Sequence, residues 1–185
     1  AMGFAWCWDS TWHNGLGGDA DPVTGNRWAG SSVSGPEGDL RWGLDSSDQT
    51  QTSNSVCMDT YLSATQQYID YCAAQGYATK VFFTTGPIDS YTEGEISYQR
   101  ELKHQHIRDY VAADSSRILF DYADILAWND AGEEYRLSWT TGKEYQQINY
   151  DNLDGTEYGH IGEVGALRLG KALWVMLARM AGWSG

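Results

Sequence analysis

Apolar positions along this chain fall into two rhythms. Three short runs are continuously apolar at their centres: GFAWCW over 3–8, KVFFTT over 80–85 and RILFDY over 117–122. Such runs suit strands of a parallel sheet covered on both faces. Between and after them the spacing changes to three and four. Met58, Tyr61, Leu62, Thr65, Tyr68, Ile69 and Cys72 predict a helix over 54–75, with Ser53 or Asn54 as its cap and Gly76 as its stop. Leu102, Ile107, Tyr110 and Val111 predict a second helix over 95–113, with His104 and His106 solvated on it. The last helix is the clearest. Ile161, Val164, Leu167, Leu173, Trp174, Leu177 and Met180 form a wide stripe expected to be buried, with Arg179 in the last turn and Gly182 beyond the end.

Two stretches follow neither rhythm. Residues 13–53 are rich in Gly, Ser, Asp and Asn, with Pro22 and Pro36 as breakers, and read as a long irregular loop or lid. Residues 128–150 read as a second irregular polar segment, and Asp124-Ile125-Leu126 as a short turn before it. The order is then strand, long loop, helix, strand, helix, strand, loop, helix. Alternation of this kind predicts an α/β fold of one domain spanning 1–185, with a parallel sheet. Three strands make a narrow sheet for this length, so a second chain is one way to complete it.

Charge narrows the partners. The formal net charge is −13, from 25 acidic and 12 basic residues, which argues against nucleic acid and anionic membrane surfaces. No apolar run approaches the roughly 18 residues of a membrane span. Nine Trp and twelve Tyr in an acidic chain suit carbohydrate handling, where indole faces stack on sugar rings; packing of cores and loops is the competing use. Cys7, Cys57 and Cys72 are too few for a disulfide framework. Cys57 and Cys72 share one predicted helix about 22 Å apart, so they cannot bridge each other, while a bridge from Cys7 to Cys57 stays open. No cysteine pair has zinc-ligand spacing, and no cofactor is expected.

Candidate chemistry gathers at strand ends and at the entrance of the last helix. Ligands of open α/β sheets bind beyond the carboxyl ends of strands, which singles out Asp9, Ser10 and His13 after the first strand and Asp89 after the second. Trp8, Trp12, Trp28 and Trp42 are candidate walls of a substrate pocket. His160 enters the last helix three residues after Glu157 and six after Asp154. A histidine held near a carboxylate is a candidate general base.

The stretch Glu157-Tyr158-Gly159-His160, followed by Ile161-Gly162 and a helix, resembles the Asp-x-x-His block of the SGNH (GDSL-like) hydrolase superfamily. KVFFTTGP and RILFDYADI fit that family's later strands, and Trp6-Cys7-Trp8-Asp9 resembles a strand whose polar end supplies an oxyanion donor. The resemblance implies a three-layer α/β/α fold with a mostly parallel, flavodoxin-like sheet. It implies an esterase or carbohydrate deacetylase in which His160 is the base, Glu157 or Asp154 orients it, and Ser10 is the nucleophile beside Asp9. Two departures stand out. Glu157 occupies the place of the family's Asp, and only Trp8-Asp9-Ser10 stands where a Gly-Asp-Ser block belongs. The chain thus resembles the C-terminal two thirds of such a hydrolase, as if truncated at its N-terminus.

Two other readings stay open. Asp9, Asp89, Asp124 and Glu157 are carboxylates suited to acid–base work on a glycosidic bond, or, beside His13 and His160, to a divalent metal. A domain without the nucleophile block is alternatively an inactive sugar-binding remnant. An exposed sheet edge would favour a homodimer, by strand addition or domain swapping. A secreted or periplasmic location is favoured over a cytoplasmic one.

Overall fold

A computed structural model describes residues 58–90, 93–156 and 160–185. The expected first strand, the long loop and the Cys7–Cys57 bridge lie outside these residues. The described chain mixes helices with small sheets. In order come α1 (Met58–Ala74), β1 (Phe83–Thr84), α2 (Glu95–Ala112), β2 (Leu119–Phe120), α3 (Tyr122–Ala127), β3 (Arg136–Thr140), β4 (Lys143–Gln146), a 3₁₀ turn (Tyr150–Asn152) and α4 (Glu163–Met180).

Both helix stops read from glycine are built as expected. After α1, Tyr77 N–H donates to Cys72 C=O and Gly76 N–H to Ala73 C=O, with Gly76 at φ +68°. After α4, Trp183 N–H donates to Ala178 C=O and Gly182 N–H to Arg179 C=O, with Gly182 at φ +98°. This is the Schellman arrangement, in which a left-handed residue lets the chain turn back onto orphan carbonyls. Cys72, in the last turn of α1, is a buried free thiol.

β1 and β2 pair in parallel, Phe83 with Leu119 and Thr84 with Phe120, and α2 makes the crossover between them. The two expected strands therefore meet, but the ladder is only two residues long in each. One side of the pair is filled by Leu62, Phe83, Ile107 and Val111, joined by Ile69, Tyr110 and Leu119. A second cluster, Ile88, Ala123, Leu126, Ala127 and Ile148, packs with Trp128, Leu153, Ile161 and Leu169 where α3 meets the start of α4.

Three expectations change. Residues 128–150 are not irregular throughout: β3 and β4 form an antiparallel hairpin whose turn carries Gly142 at φ +75°. The burial of β3 alternates, with Leu137 and Trp139 half-buried between exposed Arg136, Ser138 and Thr140. That is the period-two pattern of a half-buried strand. Asp124–Leu126 belongs to a helix rather than a turn, because the Asp121 side chain accepts from Asp124 N–H and caps it. The third change is the apolar stripe of α4, which faces outward. Val164, Leu167, Leu173, Trp174 and Leu177 are exposed, and the helix docks instead through Gly165, Arg168 and Leu169.

α2 is also more deeply set than its polar sequence implies. His104 is 0% exposed, against the expectation that it is solvated, and its neighbour Lys103 is 1% exposed. Arg100 lies beside them, its guanidinium donating to Asp89 at 2.7 Å and to Ser97 Oγ at 3.2 Å. Burial pushes the Lys103 ammonium down to about 7, with the Arg100 charge acting in the same direction. His104 is held well below its ordinary value, first by burial and then by Arg100, Arg108 and Lys103. Neither ring nitrogen of His104 has a hydrogen-bond partner among the described residues.

The consequence for stability has a definite sign. Between pH 7 and 10.5 the unfolded chain keeps the Lys103 proton and the folded chain gives it up. Stability therefore rises with pH across that window, because the unfolded state binds more protons. Lys103→Met, which keeps the volume and removes the charge, should raise the urea-unfolding free energy at pH 7 by on the order of 2–4 kcal/mol and flatten the rise above it. Equal pH slopes in the two proteins would contradict this.

Candidate functional site

Two carboxylate-bearing assemblies meet the strand ends and the entrance of α4. The inner one is centred on Asp121, immediately after β2. Its carboxylate takes Arg108 from α2 at 2.6 Å and 3.1 Å, accepts from Thr85 Oγ1 at 2.8 Å, and caps α3. Arg108 also donates to Glu101 at 3.3 Å and to Gln146 Oε1 at 2.7 Å. Gln146 passes the network on, its amide donating to Asp124 and to Glu134, each at 2.8 Å. Each of these carboxylates has a donor from another element, Glu101 accepting from Gln146 N–H on β4 at 3.1 Å. The arrangement joins the two-stranded sheet, α2, α3 and the hairpin through charge-assisted bonds.

The outer assembly is the loop that leads into α4. Asn152 is fully buried, and its amide donates to the carbonyls of Leu126 and Trp128 at 2.8 Å and 2.9 Å. The loop leaves and returns at one place. Leu153 and Ile161 form a bridge, Asp154 N–H donates to His160 C=O at 2.9 Å, and Gly162 N–H donates to Asn152 C=O at 2.8 Å. The approach is close enough to require glycine. A Cβ on Gly162 would lie 2.4 Å from Leu153 O, and one on Gly165 would lie 2.5 Å from Asn152 O.

This closure sets Asp154 and His160 side by side. Asp154 Oδ1 accepts from Thr156 N–H at 2.9 Å and from Thr156 Oγ1 at 2.7 Å, which fixes the carboxylate. The same two bonds, the hydroxyl first, hold the Asp154 carboxyl below its ordinary range, with the His160 charge adding to them. Its other oxygen, Oδ2, faces His160 Nδ1 at 3.9 Å. That is ion-pair range, about 1 Å longer than a hydrogen bond. The His160 side chain is 71% exposed, so the imidazole reaches solvent.

Of the carboxylates proposed for His160, the structure brings Asp154 to it; Glu157 lies outside the described residues. So do Trp8, Asp9, Ser10, Trp12, His13, Trp28 and Trp42. Asp89 is described: it is 2% exposed and paired with Arg100 at 2.7 Å. Asp124 is likewise engaged, accepting at one oxygen from Trp128 Nε1 and from Gln146. No group of three or more metal-ligating side chains occurs among the described residues. None of their helices is long and apolar enough to cross a membrane.

The sequence did not single out one feature. A groove of about 380 Å³ runs between α3 and α4, lined by Asp124, Ile125, Trp128, Arg168 and Ala172. Arg168 ties its walls, donating to Ile125 C=O at 2.8 Å and to Asp130 at 2.6 Å. The spacing of Asp124 and Trp128, four apart, was the available signal.

No family model, curated protein or solved structure matches the chain.

The close approach at Gly162 is testable. Gly162→Ala should cost about 1–3 kcal/mol in urea unfolding, because the new methyl meets backbone that has no flexible way to yield. It should also move the ring resonances of His160, since Asp154 and His160 are set by that closure. An unchanged midpoint with unchanged His160 resonances would show that the loop is not pinned there.

Proposed function

We propose that the chain is a hydrolase of the SGNH type, an esterase or carbohydrate deacetylase, working through His160 at the entrance of its last helix. The observation that carries this reading is the Asp154–His160 pair, with Oδ2 and Nδ1 3.9 Å apart on a loop closed by its own backbone. A general base needs a partner that holds its ring and supports the imidazolium as it forms. Asp154 suits that work, because Thr156 holds its carboxylate ionised and aimed. With Nδ1 turned to the acid, this reading gives Nε2 the task of taking a proton from the nucleophile.

In this reading Ser10 attacks the ester carbonyl and backbone N–H groups near Asp9–Thr11 hold the oxyanion. His160 then returns its proton to the leaving alcohol. The parallel pair β1 and β2, joined through α2, supports the finer architecture: a three-layer α/β/α sandwich with a flavodoxin-like sheet. Trp128 favours a sugar-bearing substrate. Its indole is fixed by Asp124 and lines the groove along α4, with Arg168 about 7.5 Å along the helix from its start. The reading that uses carboxylates alone is weaker, since Asp89 and Asp124 are both committed to other side chains.

Hydrolysis of a nitrophenyl acetate measures the activity. His160→Ala should lower kcat/KM by about 10²-fold or more, and Asp154→Asn by a smaller factor at unchanged thermal midpoint. Ser10→Ala should abolish the burst of acyl-enzyme. Full activity in Ser10→Ala would remove the nucleophile assignment, and full activity in His160→Ala would remove the mechanism.

A further inference from the structure

The outward face of α4 has the features of a contact surface. Leu167 is 57% exposed, Trp174 75% and Leu177 46%, with Val164 and Leu173 beside them. At 3.6 residues per turn, Leu167, Gly170, Trp174 and Leu177 follow the three-four spacing of a helix–helix seam. The helix is held from its opposite side, by Gly165, Arg168 and Leu169. Together the five exposed apolar side chains leave roughly 500 Å² in solvent, near the upper end for the largest patch of a monomer.

We propose that a second copy of this chain covers this face, its α4 lying antiparallel across the first. The register follows from the residues themselves. A two-fold axis through position 172 sets Leu167 against Leu177 of the partner subunit and Trp174 against Gly170 of the partner subunit. Gly170 supplies the notch that the indole needs. A Cβ added there would meet nothing within 4 Å, so nothing inside the described chain requires glycine. Glycine within a helix is otherwise a cost relative to alanine. The two-fold uses the notch and the knob twice each, which makes the face self-complementary. Antiparallel helices also set opposite dipole ends together. Two such patches bury about 1,000 Å² in all, the size at which a specific interface begins.

Light scattering on the full chain tests this. The expected mass is twice the 20.6 kDa of one chain at about 100 µM. Trp174→Glu should give the mass of one chain with unchanged far-ultraviolet circular dichroism, a weakening of about 30-fold or more. Gly170→Leu fills the notch without adding charge and should weaken the dimer about tenfold or more. Gly170→Ala separates the contact from helix stability: the isolated helix gains, while the dimer loosens. A single-chain mass for the unaltered protein would overturn the proposal; so would a dimer that survives both Trp174→Glu and Gly170→Leu. A monomer destabilised by Trp174→Glu would show instead that the chain covers this face itself, and that too overturns it.

Discussion

The described structure hangs on the carboxylate of Asp121. It stands at the end of β2, caps α3, and accepts from Arg108 on α2 and from Thr85 beyond β1. A ladder of two residues per strand provides little cohesion by itself, and the sheet ends are held by this one acceptor and its donors. The low dielectric around a partly buried charge strengthens each bond, provided every member is satisfied. The cost of losing a partner is correspondingly high, because it leaves a charge without compensation.

From that frame the path to the candidate site is short. α3 begins at Asp121, and its last carbonyls receive the Asn152 amide. Asn152 in turn accepts from Gly162, and the loop between them closes with Asp154 and His160 facing each other. Position is thus passed from a partly buried salt-bridge network to an exposed imidazole through backbone contacts. Glycine at 162 and 165 is what lets the loop and the helix approach so closely.

Much of this was legible in the sequence where one residue type does one job. Gly76 and Gly182 stop their helices because the Schellman turn needs a left-handed residue. KVFFTT and RILFDY pair as neighbours, and His160 meets an acid at the door of the last helix. The failures have a common cause. His104 on α2 read as solvated, yet the arginines around it, Arg100 and Arg108, are satisfied by Asp89, Asp121 and Glu101, partners distant in sequence or on another turn. Their pairing lets Lys103 and His104 sink with them. The hairpin of β3 and β4 is short and polar on its outer side, so its period-two signal was faint. The apolar rhythm of α4 correctly gave a helix but not which face would be covered, since burial depends on what lies opposite.

The claim that Asp154 orients His160 is most directly tested by the tautomer of that imidazole, read from the ¹⁵N shifts of its two ring nitrogens. With Oδ2 facing Nδ1, the neutral ring should carry its proton on Nδ1 and none on Nε2, and Asp154→Asn should abolish that preference. A ring protonated on Nε2, indifferent to the substitution, would contradict the account.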